Sequence, residues 1–260
     1  MHENKDVEAK RLLKMQNKRK KKFKEVIILG AGASKSEGAP LQNELFKEFF
    51  EYYKQILSKE LIIEYFKKFW GIDIENYQNQ NIKFPTFEEC LGVLDLAYYR
   101  GESFKSYHKK EIEELRNALI FLIAKVLDEK LRGQKIHHKK LVDRLKNEGS
   151  LRETAFLSLN YDIIIDNVLV NLYPEFHLDY GIDFINFERE NDWKRPNKNK
   201  AVLLLKIHGY LNRLYCPTCN HIELTRGKRK PSKLFIKQRN VVNVKHQWSL
   251  LLFLQHFIRK

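Results

Sequence analysis

The chain has 260 residues, 43% apolar and 12% aromatic, which suits one α/β domain with a large core and a small appendage and excludes a disordered protein. No apolar run reaches the roughly 20 residues a membrane helix needs, and the basic N-terminus lacks the apolar block of a secretion signal, so a cytoplasmic location with no membrane partner is expected. Of the net charge of +15, residues 1–24 carry +7 and residues 226–260 carry +10, leaving 25–225 at −2; basicity confined to the ends argues against nucleic acid as a partner.

Residues 1–24, ending in Lys18-Arg-Lys-Lys-Lys22, read as a basic, solvated leader. A strand over Val26-Ile-Ile-Leu29 follows. After Gly38-Ala-Pro40, helical spacing of Leu41, Leu45, Phe49, Tyr53 and Ile56 predicts a helix with a core face. Residues 71–85 read as a loop, and Thr86-Phe-Glu-Glu89 opens the next helix as a capping box. Ile112, Leu115, Leu119, Leu122, Ile123 and Val126 predict a helix over 111–132. Residues 86–132 thus form a helical insertion expected to roof a pocket, with Tyr98 and Tyr99 as packing residues. A second strand over 155–159, a helix over 161–172, a polar surface excursion over 173–200 and a third strand over 202–207 complete the body. There are no internal repeats.

Each of the three strands ends in a polar motif, and open parallel sheets place their ligands just past strand C-termini. Gly30-Ala-Gly-Ala-Ser34 offers glycines for a tight turn and close approach to a pyrophosphate, with helix amides behind them. Asn160 and Asp162 follow the second strand, and Lys206-Ile-His-Gly209 ends the third. Asn160 suits orientation of a hydroxyl or a water because its amide keeps one role at all pH values. His208 is a candidate proton acceptor, since imidazole titrates near neutrality (about 6.5). Read separately, Asn-Tyr-Asp is also a helix N-cap, and His-Gly also a turn.

Order and chemistry together resemble the sirtuin superfamily, and more closely its bacterial SIR2-like branch, over residues 25–225. The matching features are Gly30 to Ser34, Asn160 with Asp162, His208-Gly209 and Cys216-Pro-Thr-Cys219. The resemblance implies a Rossmann-like parallel sheet flanked by helices, with a zinc-ribbon module. It implies NAD as substrate, cleaved between nicotinamide and ribose. Gly30, Ala31, Gly32 and Ser34 would hold the phosphates; Asn160 and His208 would carry catalysis; Asp162 would fix the carboxamide or support its loop. Relatives of this branch hydrolyse NAD in antiphage defence, often as homo-oligomers or with a partner of the defence system.

Two rivals share parts of the pattern. A dehydrogenase fingerprint needs a third glycine where Lys35 stands, and an acid ending the second strand, whereas Glu51 falls in a helical pattern. Protein-deacylating sirtuins follow the first motif with Gly-Ile-Pro-Asp-Phe-Arg, but here Gly38-Ala-Pro-Leu-Gln-Asn43 lacks the acid, the aromatic and the arginine. A non-catalytic module binding NAD or ADP-ribose is the remaining alternative.

Three cysteines, two of them in Cys216-Pro-Thr-Cys219, point to reduced thiols for a metal rather than disulfides. Those two are half of the four ligands of tetrahedral zinc, so residues 213–225 form a partial zinc ribbon. No cysteine follows position 219, and residues 226–260 contain no acid. Permitted codons for Asn240 to Trp248, read two bases later, encode Cys-Ser-Lys-Cys-Lys-Thr-Pro-Met, which restores the missing ligand pair. The tail is therefore expected to be an out-of-frame continuation, with poor folding over 230–260 and weak or absent activity in this chain.

Overall fold

The computed structural model describes residues 23–52, 59–76, 82–103, 105–133, 135–173, 175–184, 196–197, 199–209, 211, 213–215, 222–224 and 249–250. It is an α/β structure built on a four-stranded parallel sheet, with a helical lobe between the first and second strands. Strand β1 (Glu25–Leu29) leads into a one-turn helix α1 (Ala31–Lys35). The lobe contains α2 (Gln42–Tyr52), α3 (Lys59–Tyr65) continued by a π-helical turn over Phe66–Trp70, α4 (Phe87–Arg100) and α5 (Lys109–Lys130). Helix α6 (Ile136–Asn147) and a 3-10 turn return the chain to β2 (Thr154–Ser158). Helix α7 (Ile164–Leu172), β3 (His177–Asp179) and β4 (Ala201–Lys206) follow. A separate antiparallel sheet joins β5 (Arg213–Tyr215), β6 (Ile222–Leu224) and β7 (Ser249–Leu250).

Local signals explain the lobe. The Thr86 hydroxyl accepts from the Glu89 amide at 3.1 Å while the Glu89 carboxylate accepts from the Thr86 amide at 2.7 Å, so the predicted capping box starts α4. On α5 all six apolar residues of the predicted stripe are buried. Leu45 and Phe49 are buried on α2 as expected, but Phe46 and Phe50 join them, widening the face; Tyr53 and Ile56 lie outside the described residues. Phe46 meets Phe66 edge-on with ring centroids 4.8 Å apart. Full burial of such side chains contributes about 1.5–3 kcal/mol each.

The sheet order is β1-β2-β4-β3, every pair parallel. One face, carrying Leu29, Phe156, Val202 and Leu204, packs on Val142 and Leu145 of α6 and on Ile164, Ile165, Val168 and Leu169 of α7. On the other face Val26 and Ile28 are each 63% exposed, unlike the usual parallel sheet with both faces covered. Three expectations change. The polar excursion over 173–200 contains β3, which pairs with β4 at the sheet edge. Helix α7 starts at Ile164 rather than at 161, because the Asp162 carboxylate accepts the Ile164 amide at 3.0 Å. The highly charged α6, which shows no strong apolar run, is an additional helix.

Cys216 and Cys219 lie outside the described residues, as do 225–248 and 251–260 of the anomalous tail. Among the described residues no three His, Cys, Asp or Glu side chains are placed to hold a metal ion, so the zinc-ribbon expectation has no support there. Among them, too, no helix is long and apolar enough to cross a membrane.

Candidate functional site

Strand register brings the three motifs side by side. Leu29 pairs with Ser158, and Ser158 with Lys206, so the C-termini of β1, β2 and β4 are level. The ladders run one residue further: the Leu159 amide donates to the Leu29 carbonyl at 2.9 Å, and the Ile207 amide to the Ser158 carbonyl at 3.2 Å. Gly30, Asn160 and His208 therefore leave adjacent strand ends, about 4.8 Å apart from strand to strand.

Hydrogen bonds join the first two motifs directly. Asn160 Nδ2 donates to the Gly30 carbonyl and to Ser34 Oγ, both at 2.8 Å. A carbonyl only accepts, so this partner fixes which way the amide points. Asn160 Oδ1 has no partner among the described residues and remains an acceptor for a ligand. Ser34 is buried, and its hydroxyl donates to Asp162 Oδ2 at 2.6 Å. Its one proton is thus committed, and Ser34 braces the loop instead of donating to a phosphate. Asp162 uses both oxygens internally, for Ser34 and for the Ile164 amide, so of its two expected roles the structure favours loop support.

The first motif leaves room for a ligand. Gly30 has φ −100°, which any residue adopts, and Gly32 is not among the positive-φ glycines. A Cβ added at either position meets nothing within 4 Å. The turn does not demand glycine here; what the two residues provide is open space beside amides at the start of α1, which have no intrahelical acceptor. That fits a group approaching the backbone closely.

Lys206 has a larger role than its place in the third motif suggests. Its side chain is fully buried, and Nζ donates to the Asp162 main-chain carbonyl and lies 3.4 Å from Asp166 Oδ2. Asp166 Oδ1 in turn accepts from the Tyr180 hydroxyl at 2.7 Å. One ammonium thereby ties β4 to the loop that carries Asn160. The sequence signal was a lysine closing an otherwise apolar strand.

His208 is half-buried just beyond β4, and Gly209 after it has φ 124°, a left-handed value that explains the glycine. His208 is not among the residues lining the cleft beside Asn160. That cleft is partly open to solvent, and the space inside it, about 60 Å³, is well below that of a whole small-molecule site. Its lining combines Ala31, Ser34, Asn160 and Asp162 with Leu45, Phe87, Glu88, Ile123 and Leu127 of the helical lobe.

Two polar atoms of residues that line it, Glu88 Oε2 and Tyr161 Oη, are buried close to one another. Burial, and then the charge of the Glu88 carboxylate and a hydrogen bond to it, push the Tyr161 phenol well above its ordinary range, keeping it protonated. On the far side of α1, Glu37 accepts the amides of Ile136 at 3.1 Å and His138 at 2.8 Å, with His138 Nδ1 at 3.0 Å. Burial alone would raise the Glu37 carboxyl, but the amide and ring of His138 outweigh it and hold the group below the usual carboxylate range. Lys135, at the start of α6, has Nζ buried without a hydrogen-bond partner; burial depresses its ammonium against the pull of Glu37 and Asp162. Neither Glu88 nor Tyr161 carried a sequence signal beyond its motif neighbours.

No protein-family model and no curated protein matches the chain.

Proposed function

We propose that this chain is a SIR2-like NAD hydrolase, taking NAD and water to nicotinamide, ADP-ribose and a proton. The observation that carries the reading is the level alignment of Gly30, Asn160 and His208 on three adjacent strand ends, with Asn160 bonded to Gly30 and Ser34 beside the cleft. In this reading the phosphates lie against the open backbone at Gly30 to Gly32. Asn160 Oδ1 accepts a hydrogen bond from a ribose hydroxyl or from the attacking water. His208, one strand over, takes the proton released as water attacks the sugar carbon and nicotinamide leaves. Ser34, Asp162 and Lys206 hold Asn160 in place. Oligomerisation and a defence-system partner follow from the resemblance alone.

A non-catalytic nucleotide-binding module is the second reading, and one observation favours it: His208 does not line the cleft. Incubation with NAD, assaying nicotinamide and ADP-ribose, separates the two. Equal release of both products, reduced about a hundredfold or more in Asn160→Ala and His208→Ala, is the expected result. Binding of NAD without product supports the module instead. Turnover that requires an acylated peptide makes the chain a deacylase.

A further inference from the structure

We infer that residues 251–258, which follow β7, dock on the bare face of the parallel sheet. Side chains alternate along a strand, and Leu29, Phe156, Val202 and Leu204 point to α6 and α7. The register therefore sets two cross-strand rows on the opposite face, Val26-Ala155-Leu203 and Ile28-Leu157-Leu205. All six positions are apolar, whereas a sheet face meant for water alternates in polar side chains. None of the six belongs to either hydrophobic core cluster, and Val26 and Ile28 are each 63% exposed. Ile207, two residues beyond Leu205, is exposed as well. A contiguous apolar patch of this kind marks an interaction surface.

Placement, direction and chemistry name the occupant. In the small sheet β5 lies between β6 and β7, and β6 packs through Ile222 on the cluster under the covered face, so β7 takes the other side of β5. Leu250 pairs antiparallel with Leu214, so the chain beyond it heads back past Arg213 toward the end of β4 and the exposed Ile207. Residues 251–258 read Leu-Leu-Phe-Leu-Gln-His-Phe-Ile, without Asp, Glu, Lys or Arg. The longer segments outside the described residues, 1–22, 185–195 and 225–248, all carry charge. Extended, eight residues reach roughly 26 Å, against roughly 17 Å for a five-residue strand, so the segment is long enough to cross the face. Apolar burial is non-directional, and the tether keeps the segment at high local concentration. An out-of-frame sequence of this composition docks without a tailored fit, so the end of the tail takes a fixed place instead of folding poorly.

The test uses the full chain with the photoreactive residue p-benzoylphenylalanine in place of the exposed Ile28. After irradiation and digestion, mass spectrometry is expected to find position 28 joined to residues 251–260 of the same chain. Removing residues 251–260 should raise the fluorescence of the apolar-surface dye ANS several-fold, with far-ultraviolet circular dichroism retained. Leu252→Asp combined with Phe253→Asp keeps the chain's length, and should lower the crosslink yield several-fold even where the shortened chain fails to fold. Crosslinks that join two chains overturn the inference, because a second copy then covers the face. So do crosslinks confined to other segments, the absence of any crosslinked peptide, or a yield that the paired substitutions leave unchanged. Unchanged dye binding in a folded, shortened chain overturns it too.

Discussion

The helical lobe and the C-terminal edge of the parallel sheet both bury their side chains, but with opposite chemistry. In the lobe the fully buried residues include Phe46, Phe49, Phe66, Leu115 and Leu119. At the sheet edge the buried residues include Ser34, Ser158, Asp162, Asp166 and Lys206. Apolar burial contributes stability directly and tolerates many arrangements. A buried polar cluster contributes little net stability and works only when each donor meets its acceptor, so it specifies geometry instead. The contrast teaches where each region's residues answer to folding and where they answer to the site. Between the two lies the cleft, with Tyr161 packed into the lobe's core and Asn160, its neighbour, bonded to the first motif.

Substitutions in the two regions should therefore separate stability from activity. Phe46→Ala, at a core residue that does not itself line the cleft, is expected to cost about 3–5 kcal/mol of unfolding free energy. Denaturant titration reads that loss, and nicotinamide release per folded molecule should stay near wild type. Ser34→Ala should cost less, about 1–3 kcal/mol, by leaving Asp162 Oδ2 without its donor. It should nevertheless lower NAD turnover markedly, because Asn160 loses one of its two acceptors. Equal activity losses in the two variants would erase the distinction between the regions.

The smallest effect concerns Glu37, which caps α6 from the loop after α1. Its folded carboxyl lies below its ordinary value of 4.5, so its contribution is present above that pH and is lost as pH falls through the lowered value. Glu37→Gln should be about 1–2 kcal/mol less stable near neutrality, with the gap closing as pH falls below 4.5 through the lowered value. Urea melts at several pH values check both the size and the sign; a gap that widens in acid contradicts the assignment.

Much of the fold was legible because its signals are local. The capping box at Thr86, the six-residue stripe of α5 and the apolar run of β1 each sit within one element. The misses had no local signal. Strand β3 is three residues long in a polar segment and exists through pairing with β4. Helix α6 is mostly charged on its exposed side and buries only His138, Val142 and Leu145. In the site, the motif residues on β1, β2 and β4 were readable, but not what they bond. Ser34 looked like a phosphate donor because its partner, Asp162, lies 128 residues away. Lys206 takes its role from neighbours on other elements.

By itself the chain's order of residues determined the strands β1, β2 and β4, the helices α4 and α5, and which polar groups stand at those strand ends. Periodicity and caps act over a few residues, so they can be read along a line. Only the tertiary structure decided that β4 inserts between β2 and β3, that the Ser34 proton goes to a carboxylate, and that His208 stands outside the cleft beside Asn160. Hydrogen bonds and burial are made between distant parts of the chain, and no local pattern records which partner a buried donor will find.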